Sequence, residues 1–353
     1  MKIAYLLEWE FDRLDGVIKK LIDQVTIWQN MGVEVKVFAL SKSNQYIQID
    51  LDINFYNKDF KSLIYHKLLY RDLKSFNPDI IYFRYSYYKP YLNWIFNNFI
   101  SVVELNSNDF LESKLQRFNS IKDFILYLLC LTTHKYLISK TKGVVSVTKE
   151  IAKGVKKPFV VVPNSINLDS IKLKKRAKNS KPNLIFMGTP NQDWHGIDKI
   201  INLAKATQDR LYFHIIGIEK PNNLDLKNIT FYGYLDRDRY KDILINCDIG
   251  IGTLSLYKKG MQEAAPLKVR EYLAYGLPTI IGYKDSAFDK SFSWLLELEN
   301  SKDNINNVDK IVDFCYKNLN YIVQKDEVRD YIDAKVLEKR RLDFLKGLID
   351  AKV

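Results

Sequence analysis

The sequence predicts an α/β protein made of two successive doubly wound units that face a central cleft. Three observations carry this. Short runs of Ile, Val, Leu, Tyr and Phe, bounded by turn residues, alternate with segments whose apolar residues recur at helical spacing. The alternation stops at the polar, basic stretch Lys172–Lys181, which is followed by Pro182, and then restarts. The length of 353 residues suits two domains of about 150 residues. Strands alternating with helices form a parallel sheet covered on both faces, and ligands bind beyond the carboxyl ends of its strands. With two such units, the expected site is the cleft between them.

The elements follow in order. Lys2–Leu7 is a buried strand, and Val17, Leu21, Val25 and Trp28 mark a helix that stops near Gly32. Val33–Leu40, Asp79–Tyr85, Ser101–Leu105, Gly143–Thr148 and Phe159–Asn164 are the remaining strands of the first half. In the second half, Asn183–Gly188, Leu211–Ile218, Asn228–Leu235, Cys247–Leu254 and Pro278–Tyr283 are strands. Helices are expected over Ile197–Ala206, from Asp236 as cap through Ile245, over Leu267–Tyr275, and over Asp326–Ile349.

Hydrophobic residues at 47% and charged residues at 27% exclude a disordered or fibrous chain. Lys and Arg number 54 against 42 Asp and Glu, a net charge of +12 that calls for an anionic partner: a nucleotide, a phospholipid surface or nucleic acid. Nucleic acid is the disfavoured member, because no helix-turn-helix, zinc-finger or RRM signature is present and the basic residues are dispersed. Cys130, Cys247 and Cys315 are odd in number and far apart, so a reducing cytoplasm is expected. The N-terminus meets acidic residues at once and does not read as a signal peptide. The longest apolar run, Phe124–Leu131, is well short of a membrane span. The segment Phe110–Lys142 interleaves Phe118, Ile121, Ile125, Leu128 and Leu129 with Lys114, Arg117, Lys122 and Lys135. It reads either as a core helix with a solvated face or as a basic amphipathic surface for anionic lipid.

The stretch Met261–Ile281 is the most informative. Glu263 falls in a loop before a helix and Glu271 about one turn inside it. Pro266 suits the first helical turn. The free N–H groups of the helix start favour an anion, and Lys268 and Arg270 add positive charge, so a diphosphate fits there. Glu271 is placed to accept hydrogen bonds from ribose hydroxyls. The alternative for the same spacing is an ordinary amphipathic helix with a charged outer face.

The block from Glu263 to Glu271, with seven residues between, followed by EYLAYGLPTI, resembles the signature of retaining glycosyltransferases of family 4, which have the GT-B fold. Val161–Asn167, FMGTPNQDWHGIDKII and ITFYGYLDRDRYKDILINCDIGI resemble other pieces of that family in order and spacing. The resemblance covers nearly the whole chain. It implies an acceptor-side domain at 1–165, a nucleotide-sugar domain at 166–330, and a C-terminal helix in 331–353 that packs back on the first domain.

It also implies roles. Glu271 binds the donor ribose and Glu263 lies near the transferred sugar. The amides around Pro266, Leu267 and Lys268 hold the sugar or diphosphate, and no metal or other cofactor is used. The sequence departs from the family in two loops. Gly188 opens a loop with neither of the family's usual Arg and Lys, leaving His195, Lys268 or Arg270 to serve. A single glycine, Gly16, stands where the family has two, either as a loop residue or as a point of phosphate approach. Arg84, Glu104 and Asn106, at the ends of two strands, are acceptor-side candidates. Glu104 and Asn106 are equally suited to local capping.

The implied activity is transfer of a sugar from a nucleoside-diphosphate-sugar to a hydroxyl of a glycan or lipid-linked acceptor, with retention, in surface polysaccharide or glycoconjugate synthesis. The expected place is the cytoplasm, at the inner face of an anionic membrane. Three other readings compete: a GT-B nucleotide-sugar 2-epimerase, which would not be expected to carry the two-glutamate block; a basic nucleic-acid-binding protein; and a degenerate transferase without turnover, disfavoured because both glutamates are present.

Overall fold

The structure is a computed structural model that describes residues 1–43, 45–58, 66–172 and 178–351. Within the basic connection Lys172–Lys181, positions 173–177 therefore lie outside the described residues. The chain divides into two compact units, Met1–Val162 with Ala334–Val353, and Pro163–Asp333.

The first unit starts with β1 (Lys2–Glu8), α1 (Gly16–Asn30), β2 (Glu34–Ser41), β3 (Ile53–Asn57) and α2 (Lys67–Phe76). It continues through β4 (Ile80–Arg84), α3 (Pro90–Asn98), β5 (Ser101–Leu105), α4 (Asp109–Gln116), α5 (Ile121–Lys140), β6 (Gly143–Ser146) and β7 (Phe159–Val161). All seven strands are parallel, in the order β3-β2-β1-β4-β5-β6-β7. The two-residue period of a strand explains the two cores. Ile3, Tyr5 and Leu7 pack on one side with Val25 and Trp28 of α1, while Ala4 and Leu6 pack on the other with Leu92 and Ile95 of α3. A strand buried on both faces has no room for alternating polarity, which is why these runs read as continuously apolar. The carboxylate of Asp15 starts α1 by accepting the Val17 and Ile18 amides.

The second unit holds β8 (Asn183–Met187), α6 (Ile197–Ala206), β9 (Tyr212–Ile216), β10 (Ile229–Phe231), α7 (Arg237–Leu244), β11 (Ile249–Ile251) and β12 (Glu263–Ala264). Then come α8 (Leu267–Ala274), β13 (Thr279–Ile281), β14 (Lys284–Asp285), β15 (Leu295–Glu297), α9 (Val308–Lys317) and α10 (Lys325–Ile332). Its main sheet is again parallel, ordered β10-β9-β8-β11-β13-β15, and β12 pairs with β14 apart from it. Asp236 caps α7 through the Arg239 amide, as its place before the helix predicts.

The chain then returns to the first unit as α11 (Ala334–Asp350). The single helix expected over Asp326–Ile349 is thus two. Asp333 breaks it: its backbone is extended (φ −68°, ψ 128°), it forms a bridge with Ile166, and its carboxylate accepts from Arg329. Leu337, Leu342 and Leu345 of α11 join the core that holds β1 and α1. Edge strands β3 and β15 were not expected. Their residues are mostly half-buried, so they lack the apolar run that marks a central strand. Among the described residues no helix is long and apolar enough to cross a membrane.

Candidate functional site

The second unit gathers its chemistry at the carboxyl ends of β8, β9 and β11. Gly188 directly follows β8. Its amide donates to the Ile216 carbonyl at 3.0 Å, and a Cβ there would lie 2.6 Å from the Phe186 ring and 2.9 Å from His195 Nδ1. Gly217, with φ +82°, would put a Cβ 1.9 Å from the Gly188 carbonyl oxygen. Gly217 is therefore required for β8 and β9 to end this close together, and Gly188 leaves the space that the Phe186 ring and His195 fill. The loop beyond them encloses a cavity of about 590 Å³, lined among others by Thr189, Asn191, Asp193, Glu219 and Lys258. None of these five was singled out in the sequence. Their only mark was position after a strand end, which a loop of polar residues does not advertise.

Helix α8 begins beside this ground. Pro266 is not inside the helix but is the residue before it, with φ −73° and ψ 142°, and no side chain caps the start. The Leu267 and Lys268 amides have no intrahelical acceptor, which leaves them for an anion, while the Val269 amide donates to the Pro266 carbonyl at 3.2 Å. Leu267 is exposed. Lys268 turns inward: its Nζ is buried, 4.2 Å from the centre of the Phe186 ring, and has no hydrogen-bond partner. Burial pushes its pKa down to about 7. His195 is buried beside it, at the end of a short 3-10 turn, and its Nδ1 is also unpartnered. Burial first, and the Lys268 charge second, push the imidazole down to about 3, so it is neutral at physiological pH.

The two glutamates stand on different elements. Glu263 belongs to β12 rather than to a loop, and its carboxylate accepts from Ser286 Oγ at 3.1 Å. Glu271 lies on α8 and accepts from the Tyr240 hydroxyl at 3.0 Å. Both are partly exposed.

Arg270 departs from the expectation that it offers charge to an anion. Its guanidinium is fully buried and forms a two-pronged pair with Asp285, both contacts at 2.7 Å, while Nε donates to the Asn164 carbonyl. Asn164 in turn donates to the Ala265 carbonyl. Arg270 thus ties α8 to β14 and to the segment that opens the second unit. The helix period decides this: residues two apart point to different sides, so only one of Lys268 and Arg270 can face the open helix start.

In the first unit, Glu104 is fully buried at the end of β5. Its Oε1 accepts from Lys20 at 3.0 Å and from Arg341 of α11 at 2.8 Å, and Arg84 lies 3.6 Å from Oε2. Burial alone would raise its pKa, but these three cations outweigh it and hold the carboxyl well below the usual range. Arg341 also bonds Tyr82 and Glu338. Glu104 is thus in large part a structural anchor for α11, a role that the sequence could not show because Arg341 is far away in the chain. Asn106 Oδ1 accepts from Lys20 at 2.5 Å. Arg84 packs over the Trp9 ring. Gly16 is the first residue of α1, with open space where a Cβ would stand. Neither backbone conformation nor crowding demands glycine there.

No protein-family model matches the chain, and no curated protein matches it in sequence. Solved structures do match it along its length. The apo form of the lipopolysaccharide outer core galactosyltransferase WaaB aligns with a TM-score of 0.67 at 14% identity, over 100% of both chains. HepE of Anabaena, solved with UDP and glucose, aligns at 0.62 and 12% identity, over 98% of this chain and 100% of the other. An alpha-glucosyltransferase bound to UDP-glucose and DNA aligns at 0.61 and 12%, over 98% and 99%. At such identities the likeness establishes the fold, which is GT-B with two Rossmann-like domains.

Proposed function

We propose that the protein is a retaining glycosyltransferase that moves a hexose from a uridine-diphosphate sugar to a hydroxyl of a glycan or lipid-linked glycan, without a bound metal. The observation that carries this is Lys268, whose buried Nζ sits over the Phe186 ring at the uncapped start of α8 with no hydrogen-bond partner among the described residues. A buried cation without a counter-ion costs stability unless a ligand supplies one. The chemistry that meets both the ammonium and the free amides is a diphosphate. During transfer the bond between the anomeric carbon and the phosphate oxygen breaks, and negative charge grows on that oxygen. Preorganised donors aimed at developing charge are a large source of rate. Lys268 and the α8 amides take that place, doing the work that a cation does elsewhere. Glu271, held by Tyr240, receives the ribose hydroxyls, and Glu263, on β12, faces the transferred sugar. The choice of uridine follows WaaB-like and HepE-like folds, of which HepE was solved with UDP and glucose.

Our reading of the acceptor draws support from the surface of the first unit. Along α5, Ile121, Ile125, Leu128 and Leu131 are exposed at helical spacing, while Cys130, Leu137 and Ile138 face inward. Ile121 is 83% exposed and Phe118, just before the helix, 79%. Lys114, Lys122 and Lys135 are exposed among them. A nucleic-acid backbone has no use for such apolar side chains, whereas a bilayer with anionic headgroups uses both kinds. We therefore place the enzyme on an anionic membrane face, where a lipid-linked acceptor is carried. The test of the donor is thermal shift with UDP, GDP and ADP. A nucleotide at 100 times its Kd stabilises by about 2.7 kcal/mol. Stabilisation by UDP is expected, and no shift with any of the three removes the reading.

A further inference from the structure

Glu263 and Glu271 stand on different elements, so their spacing in the chain does not fix their spacing in space. Glu271 is carried by the hydrogen-bonded turns of α8. Glu263 has no such frame. Its strand, β12, is two residues long and pairs in parallel with the two residues of β14. The Lys284 amide donates to the Gln262 carbonyl at 3.1 Å, and the Ser286 amide to the Ala264 carbonyl at 3.3 Å. A two-stranded ribbon is at best marginal in water by itself, so the place of Glu263 depends on what holds β14.

The holder is Asp285, a residue outside the two-glutamate block. Its buried carboxylate meets the Arg270 guanidinium fork to fork, and Oδ1 also accepts the Ala287 amide at 3.0 Å. Two parallel charged hydrogen bonds between planar groups fix their mutual orientation. Arg270 directly precedes Glu271 on α8, so β14 is pinned to the helical turn that carries Glu271. From β14 two links reach Glu263. One is the backbone pairing with β12. The other is Ser286, next after Asp285, whose Oγ donates to Glu263 Oε2 at 3.1 Å. A further strut comes from Asn164: its Nδ2 donates to the Ala265 carbonyl at 2.9 Å, and its own carbonyl takes Arg270 Nε at 2.8 Å. Both the β14 route and the Asn164 route return to Arg270. A buried ion pair adds little net stability, because desolvation offsets the attraction. What this pair adds is a fixed geometry between two elements that each carry one glutamate.

We infer that Asp285 and Ser286 are positioning residues that set where Glu263 stands relative to Glu271. Asp285 acts through Arg270 and the β12–β14 pair, and Ser286 acts by its hydrogen bond to the Glu263 carboxylate. The inference rests on the proposed transferase reading for what Glu263 faces, the sugar of a UDP-hexose. It follows that loosening either residue disturbs the sugar and leaves the nucleotide alone, because Lys268 and the α8 amides are held by the helix itself.

Two measurements on the full chain test this. Hydrogen-exchange mass spectrometry without ligand reads the support of β12, and calorimetry with UDP, UDP-glucose and UDP-galactose reads its consequence. The variants are Asp285→Asn, which keeps the shape and removes the charge, Ser286→Ala, and Ser286→Thr, which keeps the hydroxyl. In Asp285→Asn, exchange over residues 262–266 and 284–287 should quicken about tenfold, with β8 and β9 unchanged. In Asp285→Asn and Ser286→Ala, affinity for a UDP-hexose should fall about tenfold or more, the scale of one charged hydrogen bond. UDP affinity should stay the same, and Ser286→Thr should restore the wild-type ratio of the two. Quicker exchange with an unchanged ratio would mean that the ion pair only stiffens the fold, and the inference is overturned. Unchanged exchange in Asp285→Asn overturns it as well. If no nucleotide binds the wild type, the transferase reading falls by itself, and the exchange result alone decides whether Asp285 places Glu263. If Asp285→Asn fails to fold, Ser286→Ala and its rescue by Ser286→Thr decide.

Discussion

Replacing Lys268 with Met should make the protein more stable and its nucleotide binding weaker. The side chains are similar in length, so Met fills the space against Phe186 and removes the buried ammonium. A lysine titrates near 10.4 in an unfolded chain, and burial brings Lys268 to about 7. Between those values the unfolded state binds a proton that the folded state has released, so stability rises with pH across this window. Below about pH 7 both states are charged and the full penalty of burying the charge applies; above about 10.4 both are neutral and the penalty is gone. The shift corresponds to an upper bound of about 4–5 kcal/mol. The stem of Lys268 is partly exposed, so roughly 1–2 kcal/mol is the working figure. For a unit of this size that is about 2–8 °C in Tm. At pH 6, then, Lys268→Met should melt higher than the wild type by that amount, and the difference should shrink as pH rises to 10. A bound diphosphate reverses the sign, because it restores the counter-ion. UDP affinity of the variant should fall by about 1.5–3 kcal/mol. At pH 8 wild-type binding should take up a proton, visible by calorimetry in two buffers of different ionisation heat. A less stable variant at pH 6, or one that binds UDP as tightly as the wild type, would refute the placement of Lys268 as an unpaired charge awaiting an anion.

Four further outcomes are expected. Glu271→Gln should weaken UDP binding by roughly 1.5–3 kcal/mol, since a charged acceptor is lost; calorimetry showing equal affinity would remove its ribose role. Glu263→Ala should lower turnover about 100-fold or more while sparing UDP affinity, and normal turnover on the true donor and acceptor would count against it. Activity should persist in excess chelator, and a loss restored by magnesium or manganese would contradict the role given to Lys268 and the helix amides. The protein should sediment with anionic vesicles at low salt, leave them at high salt and bind neutral vesicles poorly. Changing Phe118 and Ile121 to Ser should reduce the bound fraction, and equal binding to both vesicle types would sink the electrostatic part of the proposal.

Much of the architecture is local in origin. A central parallel strand is largely apolar on both faces, so β1, β4 and β8 are visible as uninterrupted runs. The start of α7 at Asp236 is visible because a carboxylate before a periodic segment satisfies free amides, whereas the Asp15 cap of α1 emerges only from the structure. The same locality makes the Glu263–Glu271 block legible, with a helix start and its anion-ready amides between two carboxylates. Edge strands β3 and β15 escape because half-buried residues need no such run.

What a charged side chain does was decided elsewhere. Lys268 and Arg270 are two residues apart and look alike in sequence, yet one is an unpartnered buried ammonium and the other is spent on Asp285. Glu104 reads in the sequence as a strand-end residue suited to an acceptor or to local capping, and its pairing with Arg341, from the far end of the chain, is visible only in the structure. The break at Asp333 depends on Ile166. The reason is physical. Backbone propensity and apolar burial are set by near neighbours and by period. The fate of a charge depends on which opposite charge or carbonyl reaches it, and for Arg270 and Glu104 those partners arrive from 15 to 237 positions away.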